Sequence, residues 1–385
     1  MSDKTHAACV VGTGIIGSWT ALHLAEAGVE TTLLEQFPLP HTRGSSHGAS
    51  RAFRFLGDET MDRLNYSLER WRSLEQFRQE RLFLRTGLLN FGTGEDPWLE
   101  QHMAVLEQAG KPYEWLDAAS LRDRFPLLRY PEEWGAAWDP NGGLLFAYNC
   151  LAAVLAKFRT MGGTVISARA EAIEPGTDGR TTLRIRRTIG GGCETLDCNR
   201  LVMTAGPWTS RLRPDLQPLL KTLAIPVTYW RDPSGECDAA RGFPILYNAR
   251  LTGIYGLPAC EYPGLVKVLC HGGPEAEPES RDLYDHAPFT EKVSRYVQEH
   301  LPSLDYRKPA INETCMYTLT PDNEPVIDRL ADNIVIGCGF SGSGFKHSPA
   351  TERMLAALAL GNESTLPAGY QFGKYAINRF TGHHA

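Results

Sequence analysis

No apolar run in the chain approaches the roughly 18 residues that a membrane-spanning helix needs, so a membrane span is not expected. The nine cysteines contain no CxxC pair, and only Cys193 and Cys198 lie close together. That scatter fits neither a disulfide framework nor a zinc site, and it points to reduced thiols. A basic excess is also missing: the net charge is −6, which argues against a nucleic-acid partner. Internal repeats and low-complexity tracts are absent. The opening MSDKTHAACVVG carries no apolar h-region or small-residue cleavage site before its first glycine turn, so secretion is not expected. What is present is 385 residues, 42% hydrophobic and 22% charged, a globular balance with material for a sizeable core. At about 150 residues per domain the length suggests two domains or one large composite. A soluble intracellular enzyme is the expectation.

The first element that can be read is a strand, Ala8-Cys9-Val10-Val11, running into Gly12-Thr13-Gly14-Ile15-Ile16-Gly17. A helix over Ser18 to Ala27 follows, with Trp19, Leu22 and Leu24 able to share a buried side, and Gly28 ends it. A second strand, Thr31 to Leu34, closes on Glu35. This is a β-α-β unit ordered for a parallel sheet. Gly12 permits the tight turn, Gly14 lets backbone approach a pyrophosphate, and Gly17 lets helix pack close to strand. The helix N-terminus then faces the phosphates. Glu35, eighteen residues past Gly17, is placed to accept hydrogen bonds from both ribose hydroxyls. The turn does not separate NAD from FAD.

The polar stretch His41 to Arg54 is too rich in turn formers to read as a core element. Helical patterns follow at Met61–Gln79, Leu99–Gln108, Ala118–Arg124 and Asn149–Met161, then Glu291–His300 and a last helix at Glu352–Leu360. From Ile225 to His271 the signals are β, and Glu313–Thr318 and Asn333–Gly337 read as further strands. The expected fold is α/β (α+β, two-domain). A Rossmann-like nucleotide-binding domain would comprise 1–85, 145–215 and 318–385. An antiparallel-sheet substrate domain would take 86–144 and 216–317.

Three stretches narrow the choice of cofactor: Arg43-Gly44-Ser45-Ser46-His47-Gly48-Ala49-Ser50-Arg51-Ala52-Phe53-Arg54, Cys315-Met316-Tyr317-Thr318, and Gly339-Phe340-Ser341-Gly342-Ser343-Gly344-Phe345-Lys346. Together they resemble signatures of the monomeric sarcosine oxidase family, which includes N-methyltryptophan and pipecolate oxidases. Leu34 to Phe37, Pro40 to Arg43, and Tyr255 to Pro258 with Glu261 to Gly264 resemble the animal peroxisomal sarcosine/pipecolate branch. The resemblance runs over essentially the whole chain.

It implies that the Rossmann-like domain is an FAD-binding domain of the glutathione-reductase/D-amino-acid-oxidase type, with the FAD joined through an 8α-S-cysteinyl bond to Cys315. A thiolate near cations is a strong nucleophile, and an electron-poor flavin can accept it; an arbitrary cysteine would simply be a small buried hydrophobe. It implies that Arg51 lies on the flavin, with His47, Ser50, Gly342 and Gly344 also contacting the cofactor. Arg54 and Lys346 would grip a substrate carboxylate, Arg54 through two parallel hydrogen bonds. Lys346 would also lie within reach of the cofactor. Lys267 would sit over the flavin and stabilise the anion formed when oxygen takes its first electron. Lys267 and His271 are spaced i, i+4 on a strand and so share a face; His271 would position the substrate. Tyr255 and Tyr317 would supply aromatic walls and hydroxyl contacts. One departure is Ser343, where the family resemblance expects a histidine.

The implied activity is oxidation of a secondary α-amino acid, sarcosine, L-pipecolate or a similar compound, to an imine with oxygen reduced to hydrogen peroxide. The alternatives are a noncovalent-FAD oxidase of primary amino acids, resembling glycine oxidase, an NAD-dependent dehydrogenase, and a catalytically dead flavin-binding protein. The expected partners are a small amino acid and O2, with no metal, no nucleic acid and no membrane, and a monomer is implied. The chain ends Gly382-His383-His384-Ala385, unlike the Ser-Lys-Leu type signal, so a cytoplasmic location is expected, with a peroxisomal one as the alternative.

Overall fold

The computed structural model describes residues 5–57, 60–176 and 178–380; the terminal tetrapeptide behind the localisation argument lies outside the described residues. Strand Ala8–Val11 pairs in parallel with Thr31–Glu35 on one side and Leu201–Met203 on the other. Ile334–Cys338 extends the parallel set past Leu201–Met203, and the start of Thr164–Pro175 extends it past Thr31–Glu35. Antiparallel strands complete this eight-stranded sheet: Val326–Ala331 on one edge, Thr181–Arg187 and Cys193–Cys198 on the other. Ala8–Val11 and Ile334–Cys338 are buried throughout, as parallel strands covered on both faces must be.

Helix Ile15–Glu26 packs between this sheet and helices Gly344–Leu360 and Ala147–Thr160. Trp19, Leu22 and Leu24 are all buried, but so are Ser18, Thr20 and Ala21. The helix therefore has no single apolar face; it is enclosed on nearly every side. The last helix begins at Gly344, eight residues before the expected Glu352. Pro349 lies inside it and hid its first turns from the sequence reading, because proline removes a ladder donor.

A second eight-stranded sheet runs in the order Ile311–Leu319, Lys221–Arg231, Leu265–Cys270, Ile254–Tyr262, Ile245–Asn248, Leu88–Thr93, Trp134–Asp139, Glu114–Leu116. It is antiparallel except where Ile245–Asn248 meets Leu88–Thr93. Helix Ala287–His300 covers one face, packing Val293, Tyr296 and Val297 against Trp230, Val268 and Leu246. The register settles what the other face carries. Lys267 lies opposite Tyr229, Leu269 opposite both Val227 and Tyr255, and Cys315 and Tyr317 opposite Ile225 and Leu223. Since side chains alternate along strands and paired residues share a side, Tyr255, Lys267, Cys315 and Tyr317 all point the same way.

A small antiparallel sheet joins Ser50–Phe53, Gly143–Phe146 and Phe83–Arg85. This corrects the reading of His41 to Arg54 as wholly outside the core. Ser50 and Phe53 are buried, and Phe53 stacks edge-on against Phe55 and Phe83. The turn formers stop at Ala49.

Candidate active site

A groove of about 440 Å3 opens at the C-terminal ends of the parallel strands. Gly12, Thr13, Gly14 and Glu35 line one part of it, and Cys315, Met316, Tyr317 and Gly339 to Gly342 line another. Gly12 has φ +99°, and a Cβ there would sit 2.5 Å from the Thr204 carbonyl oxygen. A Cβ on Gly17 would come within 1.9 Å of the Gly12 carbonyl oxygen, so this glycine serves helix–strand packing and does not face the groove. At the helix start, the Ile15 N–H donates to Ser46 Oγ at 2.9 Å. Glu35 accepts from Thr13 N (3.0 Å), Thr13 Oγ1 (2.7 Å) and Phe37 N (3.0 Å). Burial would raise its pKa, but His41 and the Thr13 donors outweigh that and hold the carboxyl below its usual range. An ionised acid, a helix N-terminus and a glycine cradle thus share one long groove with a thiol. That donor set fits a flavin dinucleotide.

At the thiol, Arg51 Nη2 lies 3.8 Å from Cys315 Sγ, and its other bonds go to the carbonyls of Ser45 (2.9 Å) and His47 (2.6 Å). Arg51 Nη1 donates to Ser50 O at 2.7 Å. Three carbonyl contacts hold a guanidinium beside the sulfur. His47 lines the groove with Nδ1 against Gly44 O; burial pushes its pKa down to about 4, with Arg51 adding to the shift, so the ring is neutral at pH 7.

A smaller cavity of about 120 Å3 adjoins the groove, sharing Arg51, Cys315, Tyr317, Gly342 and Phe345 with it. Arg54, Lys267 and Lys346 bring three more cations to its walls, and no acidic side chain lines it among the described residues. Arg54 Nη1 donates to Leu56 O (2.7 Å) and Gly57 O (3.1 Å), and its guanidinium carbon lies 4.5 Å from the Tyr247 ring centre. Tyr255 and Tyr317 hydroxyls are 3.3 Å apart, and Tyr317 reaches His271 Nδ1 at 3.5 Å. Burial pushes Tyr255 up to about 12 and Tyr317 well above its ordinary value, so both remain protonated. Burial first, and the Arg54 charge second, push His271 below its ordinary value. Such a cavity receives a small anion against cations, aromatic rings and neutral donors.

The model of the FAD dependent oxidoreductase family matches residues 7–358. Peroxisomal sarcosine oxidase of Mus musculus is 38% identical, over 97% of this chain and 96% of the relative. Monomeric sarcosine oxidase of Arthrobacter sp. (strain TE1826) is 28% identical over 98% of this chain and 97% of the relative. The chain belongs to the monomeric sarcosine oxidase family. It is thus an FAD-dependent oxidase acting on CH–NH bonds. Among solved structures, L-proline dehydrogenase from P. horikoshii superposes with TM-score 0.80 at 21% identity, covering 98% of each chain. NikD, an amino acid oxidase of nikkomycin biosynthesis, superposes with TM-score 0.78 at 23% identity, covering 97% of each. These two likenesses show the shared fold.

Within this sarcosine oxidase family member, the groove gathers Gly12, Gly14, Glu35, His47, Arg51, Cys315, Tyr317, Gly342 and Gly344. The smaller cavity gathers Arg54, Tyr255, Lys267, His271 and Lys346. Ser50, expected at the cofactor, lines the smaller cavity, and its hydroxyl bonds Glu261. His271 lies one residue past the end of strand Leu265–Cys270 yet keeps the side of Lys267. Ser343 also lines the smaller cavity, so the departure from the expected histidine falls on its wall. Sequence reasoning missed Tyr247 and Glu261. Tyr247 is paired with Tyr255 across the sheet, a register no local pattern discloses. Glu261 stood within a quoted motif, but a single glutamate reads as a surface residue.

Proposed function

We propose that the protein oxidises a secondary α-amino acid, sarcosine, L-pipecolate or a close analogue, to an imine, with oxygen reduced to hydrogen peroxide. The observation that carries this is the smaller cavity: a space of about 120 Å3 walled by Arg54 and Lys346, adjoining a groove with which it shares Cys315. Flavin, held in the groove and joined to Cys315, would supply a two-electron acceptor and return the electrons to oxygen. The rest falls to side chains. Arg54 and Lys346 bind the carboxylate, Arg54 from a pose braced by two backbone carbonyls and the Tyr247 face. Tyr255, Tyr317 and the ring of His271 bound the amine side. A wall dense in positive charge favours the neutral amine over the ammonium form, and only the neutral amine has a lone pair to release. Lys267 supplies positive charge where oxygen is reduced. The imine leaves to be hydrolysed in water.

In this reading 1–85, 145–215 and 318–385 hold the flavin, and 86–144 and 216–317 shape the substrate side. The protein acts as a monomer on a small molecule and O2. A cytoplasmic location is part of the proposal. Because relatives such as the mouse enzyme carry a peroxisomal name, a fluorescent fusion should be scored for both compartments.

The test is oxygen uptake with peroxide release on sarcosine, L-pipecolate and glycine, in the parent and in Lys267→Met. Peroxide should match the oxygen consumed for a secondary amino acid and not for glycine. Lys267→Met should slow reoxidation far more than reduction by substrate. Equal reoxidation in the two proteins contradicts the role of Lys267.

A further inference from the structure

Lys267 is 6% exposed, on a sheet face it shares with the aliphatic Leu257, Leu269, Val227 and Ile225 and with Tyr229, Tyr255, Cys315 and Tyr317. A buried ammonium is tolerated only with partners. Here it also stands in a wall with Arg51, Arg54 and Lys346, which repel it. Among the described residues the one counter-charge it meets is Glu261, whose side chain is 3% exposed, with Oε1 at 3.1 Å from Lys267 Nζ. Its remaining contacts are Ser50 O and Ser50 Oγ, each at 3.4 Å, and the Tyr229 ring centre at 5.4 Å.

Glu261 is itself fastened. Strand Ile254–Tyr262 follows its neighbour as far as Leu257 opposite Lys267 and resumes only at Tyr262 opposite Leu265. Glu261 lies within this irregular stretch, and its carboxylate turns inward to Lys267. It accepts from the Ser50 hydroxyl at Oε1 and from the Tyr229 hydroxyl at Oε2, 2.6 Å away. Tyr229 is the residue paired with Lys267 on the next strand. Burial alone would raise the carboxyl's pKa; the Lys267 charge and the donors Ser50 and Tyr229 hold it below the usual range, so it is ionised at neutral pH. It lies behind Lys267 and does not line the cavity.

We propose that Glu261 is a positioning residue, which anchors the Lys267 ammonium from behind and so sets where it meets the cavity. The consequence for catalysis rests on the oxygen-reacting role of Lys267 given above; the anchoring itself does not.

The test uses the flavin-loaded protein as Glu261→Ala and Glu261→Gln, with a crystal structure and stopped-flow kinetics for each. In Glu261→Ala, Lys267 Nζ should leave Ser50 by about 1 Å or more, and reoxidation should slow by about tenfold to a hundredfold. Reduction by substrate should stay within about twofold, since carboxylate binding is left alone. Glu261→Gln keeps an oxygen acceptor and should restore the lysine's place and part of the rate, a rescue that general damage to the fold would not give. If Nζ stays in place in Glu261→Ala, the proposal is overturned. If Nζ moves and reoxidation is unchanged, the anchoring stands and the oxygen role of Lys267 falls instead. Should Glu261→Ala not fold, Tyr229→Phe removes the bond that fastens Glu261 and should shift Nζ and slow reoxidation in the same direction by less; an unmoved Nζ there is equally contrary.

Discussion

At the scale of single residues, the groove places a guanidinium beside a thiol, and that pairing makes a distinct prediction. Arg51 is bonded to three carbonyl oxygens and cannot swing away from Cys315. In the proposed account this cation stands beside the sulfur that joins the flavin. Cys315→Ala should therefore release its flavin on acid precipitation, giving a yellow supernatant, while the parent gives a yellow pellet. Colour that stays with the pellet in Cys315→Ala would place the link elsewhere. Arg54 gives a second prediction. Arg54→Gln loses a charged hydrogen-bonding group and should weaken substrate binding by about tenfold to a hundredfold, read as the substrate concentration that half-saturates anaerobic reduction. An unchanged midpoint would remove Arg54 from carboxylate recognition. Residues with a local signature, such as Gly12, Cys315 and Lys346, could be picked out of the sequence. Glu261 and Tyr247 could not, because their roles arise from an irregular stretch of strand and a cross-strand pairing.

At the scale of elements, the parallel strands were legible because both their faces are buried and their sequences are nearly continuous runs of apolar residues. Strand Ser50–Phe53 was not, since four residues following a glycine-rich turn carry almost no period of their own. Pro349 likewise masked the first turns of helix Gly344–Leu360. That helix holds a further testable feature. Glu352 is fully buried, neither carboxylate oxygen has a hydrogen-bond partner among the described residues, and burial pushes its pKa well above the ordinary value. The unfolded chain releases this proton near pH 4, whereas the folded chain keeps it. Stability from this group is thus fully present at low pH and declines as pH rises above the unfolded pKa. Glu352→Gln should raise the melting temperature at about pH 8 and change it little at about pH 4. A difference of equal size at both values would show that ionisation of Glu352 is not what costs the fold its stability.

At the scale of the molecule, two eight-stranded sheets of different pattern meet over a groove and a small cavity that share five residues. The parallel sheet presents a helix N-terminus and Glu35, while the antiparallel sheet turns one face, with Lys267, Tyr255, Cys315 and Tyr317, toward the same place. Neither half is sufficient for the proposed chemistry, because the groove draws Cys315 from the antiparallel sheet while the small cavity draws Arg54 and Lys346 from the flavin-side segments and Lys267 from the antiparallel sheet. The measurement that bears most directly on this account is anaerobic mixing of the flavin-loaded protein with sarcosine, L-pipecolate, L-proline, N-methyltryptophan and a set of primary amino acids, following the visible flavin band. The account predicts fast bleaching by one or more secondary amino acids and none by the primary ones. Bleaching by primary amino acids alone would contradict it.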